Sequence, residues 1–242
     1  MDCGAGFCTC TARARDAERE MCGIWRDCFP ANGERDAKLF CRLSGADALL
    51  LRTGSEQAGG CGIVPLTAGE LRGGYIFALG VLAAYRGRGG MRQLLTAARE
   101  YGAAHGFDFL ALVPANDALA RTYSRYGFGG RVEIPRWEVA ATVPLCPAQL
   151  PPPRVPGGRV IMPGAGFVEY IRATYREFEL CGAGLVCGEE ENGRRDVYEY
   201  IPGERDEGIV PVAVSDEGML LPLTPAAEHL REGYRFYCSM GE

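Results

Sequence analysis

Between positions 73 and 128 the chain gathers the residues best suited to chemistry. An apolar run, 75–82, leads into Tyr85-Arg86-Gly87-Arg88-Gly89-Gly90-Met91. Glycines at a strand-to-helix turn remove side chains where backbone must approach a ligand. The first turn of the following helix leaves N–H groups unpaired at the positive end of the helix dipole. Together these hold phosphate. Arg86 and Arg88 add positive charge there, although both also suit a solvated surface. Asn116 and Tyr123 stand seven residues apart, about two helical turns, so they share a face. An amide and a phenol on one face suit a single ligand; the plainer alternatives are an N-cap for Asn116 and a core aromatic for Tyr123. Positions 75–85 contain no acid, and His105 and His229 are the two histidines of the chain. No Ser/His/Asp or Cys/His nucleophile arrangement is legible. Glu70, Glu133 and Glu138 are left as bases acting through water, with water alone as the other choice.

These residues need a particular frame. The run 75–82 is dense in apolar side chains, as a strand covered on both faces should be. From Gly90 to Ala104, Leu94, Leu95, Ala98 and Tyr101 make one stripe, with Arg92, Gln93, Arg99 and Glu100 elsewhere, so a helix is expected. Gly106 is placed to cap its C-terminus. The segment 107–113 is expected as a strand ended by Pro114. Asn116 is expected as the N-cap of a further helix, and Gly127 as its stop.

The motifs resemble the acetyl-CoA-binding core of the GCN5-related N-acetyltransferases (GNAT). Leu79-Gly80-Val81 followed by Arg86-Gly87-Arg88-Gly89-Gly90-Met91 is similar to the family's strand and glycine-turn signature. Asn116, Tyr123, Gly127 and Phe128 are similar to its second signature. The resemblance is close over 75–128 and looser over 19–145. It departs at Met91, where the family has glycine or alanine. It implies that acetyl-CoA is the acyl donor. By resemblance, backbone at Leu79, Gly80 and Val81 lies along pantetheine. The turn from Arg86 through Gly87, Arg88, Gly89 and Gly90 to Met91 holds the pyrophosphate. Asn116 contacts the cofactor arm, and Tyr123 is the general acid at the sulfur. The implied fold is α/β: a mixed, mostly antiparallel twisted sheet flanked by helices. The implied reaction is acetyl transfer to a primary amine of a small molecule or peptide by direct attack. A non-catalytic acyl-CoA-binding sensor or assembly module is the alternative.

The rest of the chain bounds this reading. Its 242 residues suit one large or two small domains. Apolar content of 47% and charged content of 24% are ordinary for a globular protein. A net charge of −5 disfavours nucleic acid, which needs concentrated Lys and Arg. No apolar run reaches the roughly 18 to 20 residues of a membrane span. Eleven scattered cysteines suit reduced thiols rather than a disulfide framework, and no signal peptide is legible, so a cytoplasmic location is expected. Cys3, Cys8 and Cys10 lack the spacing of a metal site, and none is expected.

The expected division is an N-terminal tail at 1–18, the acetyltransferase domain at 19–145, a proline-rich linker at 146–158 and a smaller C-terminal α+β domain at 159–242. Helices are expected over 13–29 and 34–43, and strands over 48–52, 61–66, 131–134 and 137–142. The last of these is expected to extend the sheet beside the acceptor pocket. Beyond the linker, strands are expected over 159–162, 180–187, 196–201, 209–214, 219–223 and 234–239. A helix is expected over 167–178, and another framed by Thr224, Pro225 and Gly233. The sequence leaves this unit open between a degenerate acetyltransferase-like half, a lid and a dimerisation unit; homodimerisation is likewise open.

Overall fold

The computed structural model describes residues 6–30, 33–134, 136–147, 159–180, 183–191, 193–201, 209–211 and 216–237. The main sheet has two apolar faces, one covered by three helices and the other by two. The first elements are β1 (Phe7–Arg13), α1 (Glu18–Cys28), α2 (Gly33–Leu43), β2 (Asp47–Thr53), β3 (Glu56–Ala68) and β4 (Leu71–Val81). Then come α3 (Gly90–Ala104), β5 (Phe109–Leu112), α4 (Asp117–Ser124), β6 (Gly129–Ile134), β7 (Trp137–Ala140) and β8 (Cys146–Pro147). The remainder is β9 (Val160–Pro163), α5 (Ala165–Thr174), β10 (Arg176–Leu180), β11 (Ala183–Glu191), β12 (Arg194–Ile201), β13 (Ile209–Pro211), β14 (Asp216–Pro222) and β15 (Arg235–Phe236).

Successive strand residues point to opposite faces. Ala48, Leu50, Tyr75, Phe77, Phe109 and Ala111 therefore meet Trp25, Phe40, Phe167 and Tyr170 of α1, α2 and α5. Leu49, Leu51, Ile76, Leu110 and Leu112 meet Leu94, Leu95, Ala98 and Tyr123 of α3 and α4. On the first face Trp25, Phe40, Phe77 and Phe167 stack tilted or edge-to-face at centroid distances of 5.1 to 6.5 Å. That geometry favours aromatic pairs beyond the area they bury.

The main sheet has nine strands in the order β1-β2-β3-β4-β5-β14-β6-β15-β9. Because β9 also pairs with β3, through Leu66 with Pro163 and Thr67 with Met162, the strands from β3 to β9 close on themselves. The pairs are mostly antiparallel; β4–β5, β6–β15 and β9–β15 are parallel. This is the mixed sheet with flanking helices that was expected. β13, β7, β12, β11, β10 and β8 form a second sheet of six strands.

Four expectations are corrected here. Residues 7–13 are a strand, paired with β2 in full register from Phe7–Thr53 to Arg13–Asp47, and not part of a tail. Phe, Thr and Cys fit a pleated surface, and a hydrophobic partner strand was available. The expectation of a self-contained unit over 159–242 is corrected by the pairing. β14 lies between β5 and β6, and β9 and β15 belong to the main sheet as well. The smaller unit is the six-stranded sheet, inserted in the chain between β6 and β14, and it takes in β7, which was expected to extend the main sheet. Finally, Cys8 is disulfide-bonded, contrary to the expectation of reduced thiols, while the seven other described cysteines are free, as expected. The stretch 148–158, most of the expected linker, also lies outside the described residues.

Candidate active site

β4 and β5 run parallel but pair only at Gly73–Phe109, Gly74–Leu110 and Tyr75–Ala111. β4 continues to Val81, whereas β5 ends at Leu112 and turns away at Pro114. The two strands thus separate toward their carboxyl ends. That is where parallel strands place ligands, because the loops and helix N-termini that follow both strands converge there.

A bulge sets what faces the gap. In the β3–β4 ladder Gly60 opposes Gly80 and Gly62 opposes Phe77, so β4 carries one residue more than β3. Ala78 takes it up at φ 51, the one described non-glycine residue in left-handed conformation. An extra residue reverses which face each later side chain occupies. Phe77 and Ala78 both face the α1 side, and Leu79 and Val81 are shifted to the α3 side. Gly80 faces α1 so closely that a Cβ there would stand 2.9 Å from the Cys28 Sγ.

The turn after β4 is pinned at several points. Leu82 N–H donates to Ala58 O at 2.9 Å, and Tyr85 N–H donates to Leu82 O at 2.9 Å. Tyr85 Oη donates to Glu56 Oε2 at 2.5 Å, and Arg86 Nε donates to Val81 O at 2.9 Å. Gly87 and Gly89 adopt φ 75 and 85, where any Cβ is strained. Gly90 begins α3 with no room for a Cβ, which would lie 2.9 Å from Leu51 Cδ2. Met91, by contrast, tucks half-buried against the α3-side cluster, so the departure from glycine at that position is accommodated. The first turn of α3 contains no acidic residue and its N-cap, Gly89, contributes no side chain. Its free N–H groups and the dipole face outward for an anion. Arg88 lies over the Tyr85 ring at 5.9 Å, and Arg92 reaches back to within 3.7 Å of where a Gly89 Cβ would be.

Asn116 stands at the start of α4, beyond the carboxyl end of β5, and its Oδ1 accepts from Leu119 N–H at 3.0 Å. It is the N-cap expected, which leaves its amide NH₂ for other partners. Tyr123 lies two turns on, 6% exposed, edge-to-face with Phe128 at 6.2 Å. The α3-side cluster thus joins Leu79 and Val81 after the bulge, Tyr85 and Met91 flanking the glycines, and Tyr123 in one packed body.

The three carboxylates weighed as bases are held elsewhere. Glu133 accepts from Arg235 at 3.0 Å, and Glu138 from Arg194 at 2.7 Å in the second sheet. Glu70 sits in the turn between β3 and β4, at the end of β4 opposite Val81. His105 stacks on Tyr101 at 3.8 Å, and His229 faces Tyr234. The bulge at Ala78 and the reach of Arg92 were missed from sequence. For Arg92 the available signal was its place in the first turn of the helix after the glycines.

Residues 17–128 match the model of the acetyltransferase (GNAT) family. No curated protein matches the chain in sequence. Among solved structures, a GCN5-related N-acetyltransferase from Anabaena variabilis is 12% identical with a TM-score of 0.60, over 90% of this chain and 73% of that one. Eis1 from Mycobacterium abscessus is 15% identical with a TM-score of 0.60, over 93% of this chain and 76% of its own. A GCN5-related N-acetyltransferase from Kribbella flavida is 13% identical with a TM-score of 0.55, covering 88% and 71%. At these identities the likeness is one of fold, and it runs well past position 128. Over residues 17–128 the chain thus matches the GNAT acetyltransferase family, whose members use acetyl-CoA as acyl donor.

Proposed function

We propose that the protein transfers acetyl from acetyl-CoA to a primary amine of a small molecule or peptide, by direct attack of the amine on the thioester. The observation that carries this is the parting of β4 and β5 beyond Tyr75, directly beside the pinned glycine turn. Pantetheine lies in that gap with its thioester against Leu79, Gly80 and Val81. The pyrophosphate meets the N–H groups of the turn from Gly87 to Met91, and Asn116 Nδ2 meets the cofactor arm. A backbone N–H beside the bulge holds the thioester oxygen as it becomes an oxyanion. The amine attacks the carbonyl carbon, the C–S bond breaks, and the thiolate takes its proton from Tyr123. With Glu133 and Glu138 tied in ion pairs, water removes the amine proton. A CoA thiol near the ~8.5 of cysteine is a fair leaving group, so the phenol accelerates the step without being indispensable.

Two measurements test the proposal. CoA at 100 times its dissociation constant stabilises the fold by about 2.7 kcal/mol, read as a rise in melting temperature. Thiol release from acetyl-CoA with a panel of amines then reports turnover. No thermal response to millimolar CoA sinks the cofactor assignment. Binding without turnover on any amine sinks catalysis and leaves the sensor or assembly module.

A further inference from the structure

We infer that Arg86 is a positioning residue for the end of β4, and that Arg92 supplies the side-chain cation that meets the cofactor's phosphates. The inference rests on acetyl-CoA occupying the glycine turn, as proposed above.

Arg86 opens the glycine motif and was assigned to the cofactor from sequence, yet its side chain is committed backward. Nε donates to the carbonyl of Val81, the last residue of β4. The guanidinium then lies against the Cys28 thiol of α1, where it offsets part of the burial that pushes that thiol up. Cys28 belongs to the α1 face of the sheet, because it packs on Gly80. The first turn of α3 belongs to the opposite face, because Gly90 packs on Val81 and Leu51. The Arg86 charge is therefore directed to the face away from the helix N-terminus that receives phosphate. What the side chain fixes is the direction of the Val81 carbonyl, and with it the backbone between the bulge and the turn. It also closes the loop whose backbone Arg86 N–H bonds to Ala83 O at 3.3 Å.

Arg92 has the complementary placement. It lies on the exposed first turn of α3, with its guanidinium over the αL glycine, Gly89. Among the described residues it has no ion-pair partner, so its charge is available to an anion seated on the helix N-terminus. A guanidinium offers phosphate two parallel donors and adds to the backbone N–H groups already there.

The test is calorimetric titration with CoA, from about 50 to 300 mM salt, where exposed charge pairs are progressively screened. It uses the unaltered protein, Arg86→Gln, Arg86→Met and Arg92→Gln. Gln at 86 keeps an N–H donor for Val81 O without the charge, and Met keeps length with neither. The expected result is that Arg86→Gln binds CoA within about twofold of the unaltered protein, with the same salt dependence. Arg86→Met weakens binding about tenfold with unchanged salt dependence, and Arg92→Gln weakens it about tenfold while losing part of that dependence. If Arg86→Gln loses both affinity and salt dependence while Arg92→Gln loses neither, the assignment is reversed and the inference falls. Arg86→Met equal to the unaltered protein overturns the positioning role. Both side chains replaced are exposed, so folding is not at stake. An unaltered protein that fails to bind CoA brings down the reading of the site itself, a different failure from either of these.

Discussion

At the scale of single residues, Tyr101 ties the sheet edge to α3. Its hydroxyl donates to Asp47 of β2, which also pairs with Arg13 of β1 at 3.2 Å. Burial, and then this hydrogen bond, hold the phenol above its ordinary pKa. The folded protein therefore keeps that proton to higher pH than the unfolded chain. The stability it contributes is fully present below the ordinary tyrosine value of about 10 and is lost as pH rises beyond it. Tyr101→Phe is expected to cost about 1 to 2 kcal/mol at neutral pH, a drop of a few degrees in melting temperature, and to flatten the loss of stability above about pH 10. Chemical denaturation across pH checks both. Tyr123 differs because its proposed role is chemical. Tyr123→Phe keeps the ring that meets Phe128, so CoA affinity is expected to hold while turnover falls about 10²-fold, toward the low end of general acid effects. Undiminished turnover would assign Tyr123 to the core alone.

At the scale of elements, the bulge in β4 and the glycine turn act as one device. The bulge decides which face Leu79 and Val81 present, and the turn decides where the N-terminus of α3 points. Ala78 tolerates φ 51 because its side chain is small; a β-branched residue does not. Ala78→Val is expected to cost about 2 kcal/mol or more and to weaken CoA binding, since relief of the strain returns the strand to regular register. Urea denaturation and CoA titration measure the two effects, and a variant of full stability would mean the bulge is not specified by this residue. Gly89→Asp adds a Cβ at φ 85 and a carboxylate beside the proposed pyrophosphate. It is expected to weaken CoA binding by at least about tenfold in a folded protein, which calorimetry reads directly.

At the scale of the molecule, the order of strands decides what is separable. β14 fills the place between β5 and β6, and β9 joins β3 to close the ring. Removing everything after the proline-rich stretch would expose both flanks of that place as open edges, which aggregate. A fragment ending at 145 is therefore expected to be insoluble. The intact chain nicked within 148–158 is expected to run through gel filtration as one body, held by β14 and by the aromatic packing of Phe167 and Tyr170 on Phe40 and Phe77. Limited proteolysis followed by chromatography checks this, and two fragments eluting apart would restore an independent C-terminal domain.

What the sequence determined by itself was local. Gly106 and Gly127 at positive φ end α3 and α4, and Asn116 caps α4, because capping and left-handed backbone depend on a few adjacent residues. Gly87 and Gly89, at φ 75 and 85, are legible for the same reason. The stripe of α3 and the apolar run of β4 followed from periodicity. Only the tertiary structure decided the rest. The bulge at Ala78 exists relative to the register of β3, which no residue of β4 announces. The seven-residue β1 looked like a tail because its partner, β2, lies more than thirty positions away. β14 is recognisable as a strand, but its place between β5 and β6 is set by which edges were left unpaired about a hundred residues earlier. The Arg86 side chain turned to Val81 and Cys28 because the bulge had already fixed which face each of them occupies. Pairing across such distances depends on the whole chain at once, whereas a turn depends on its own residues.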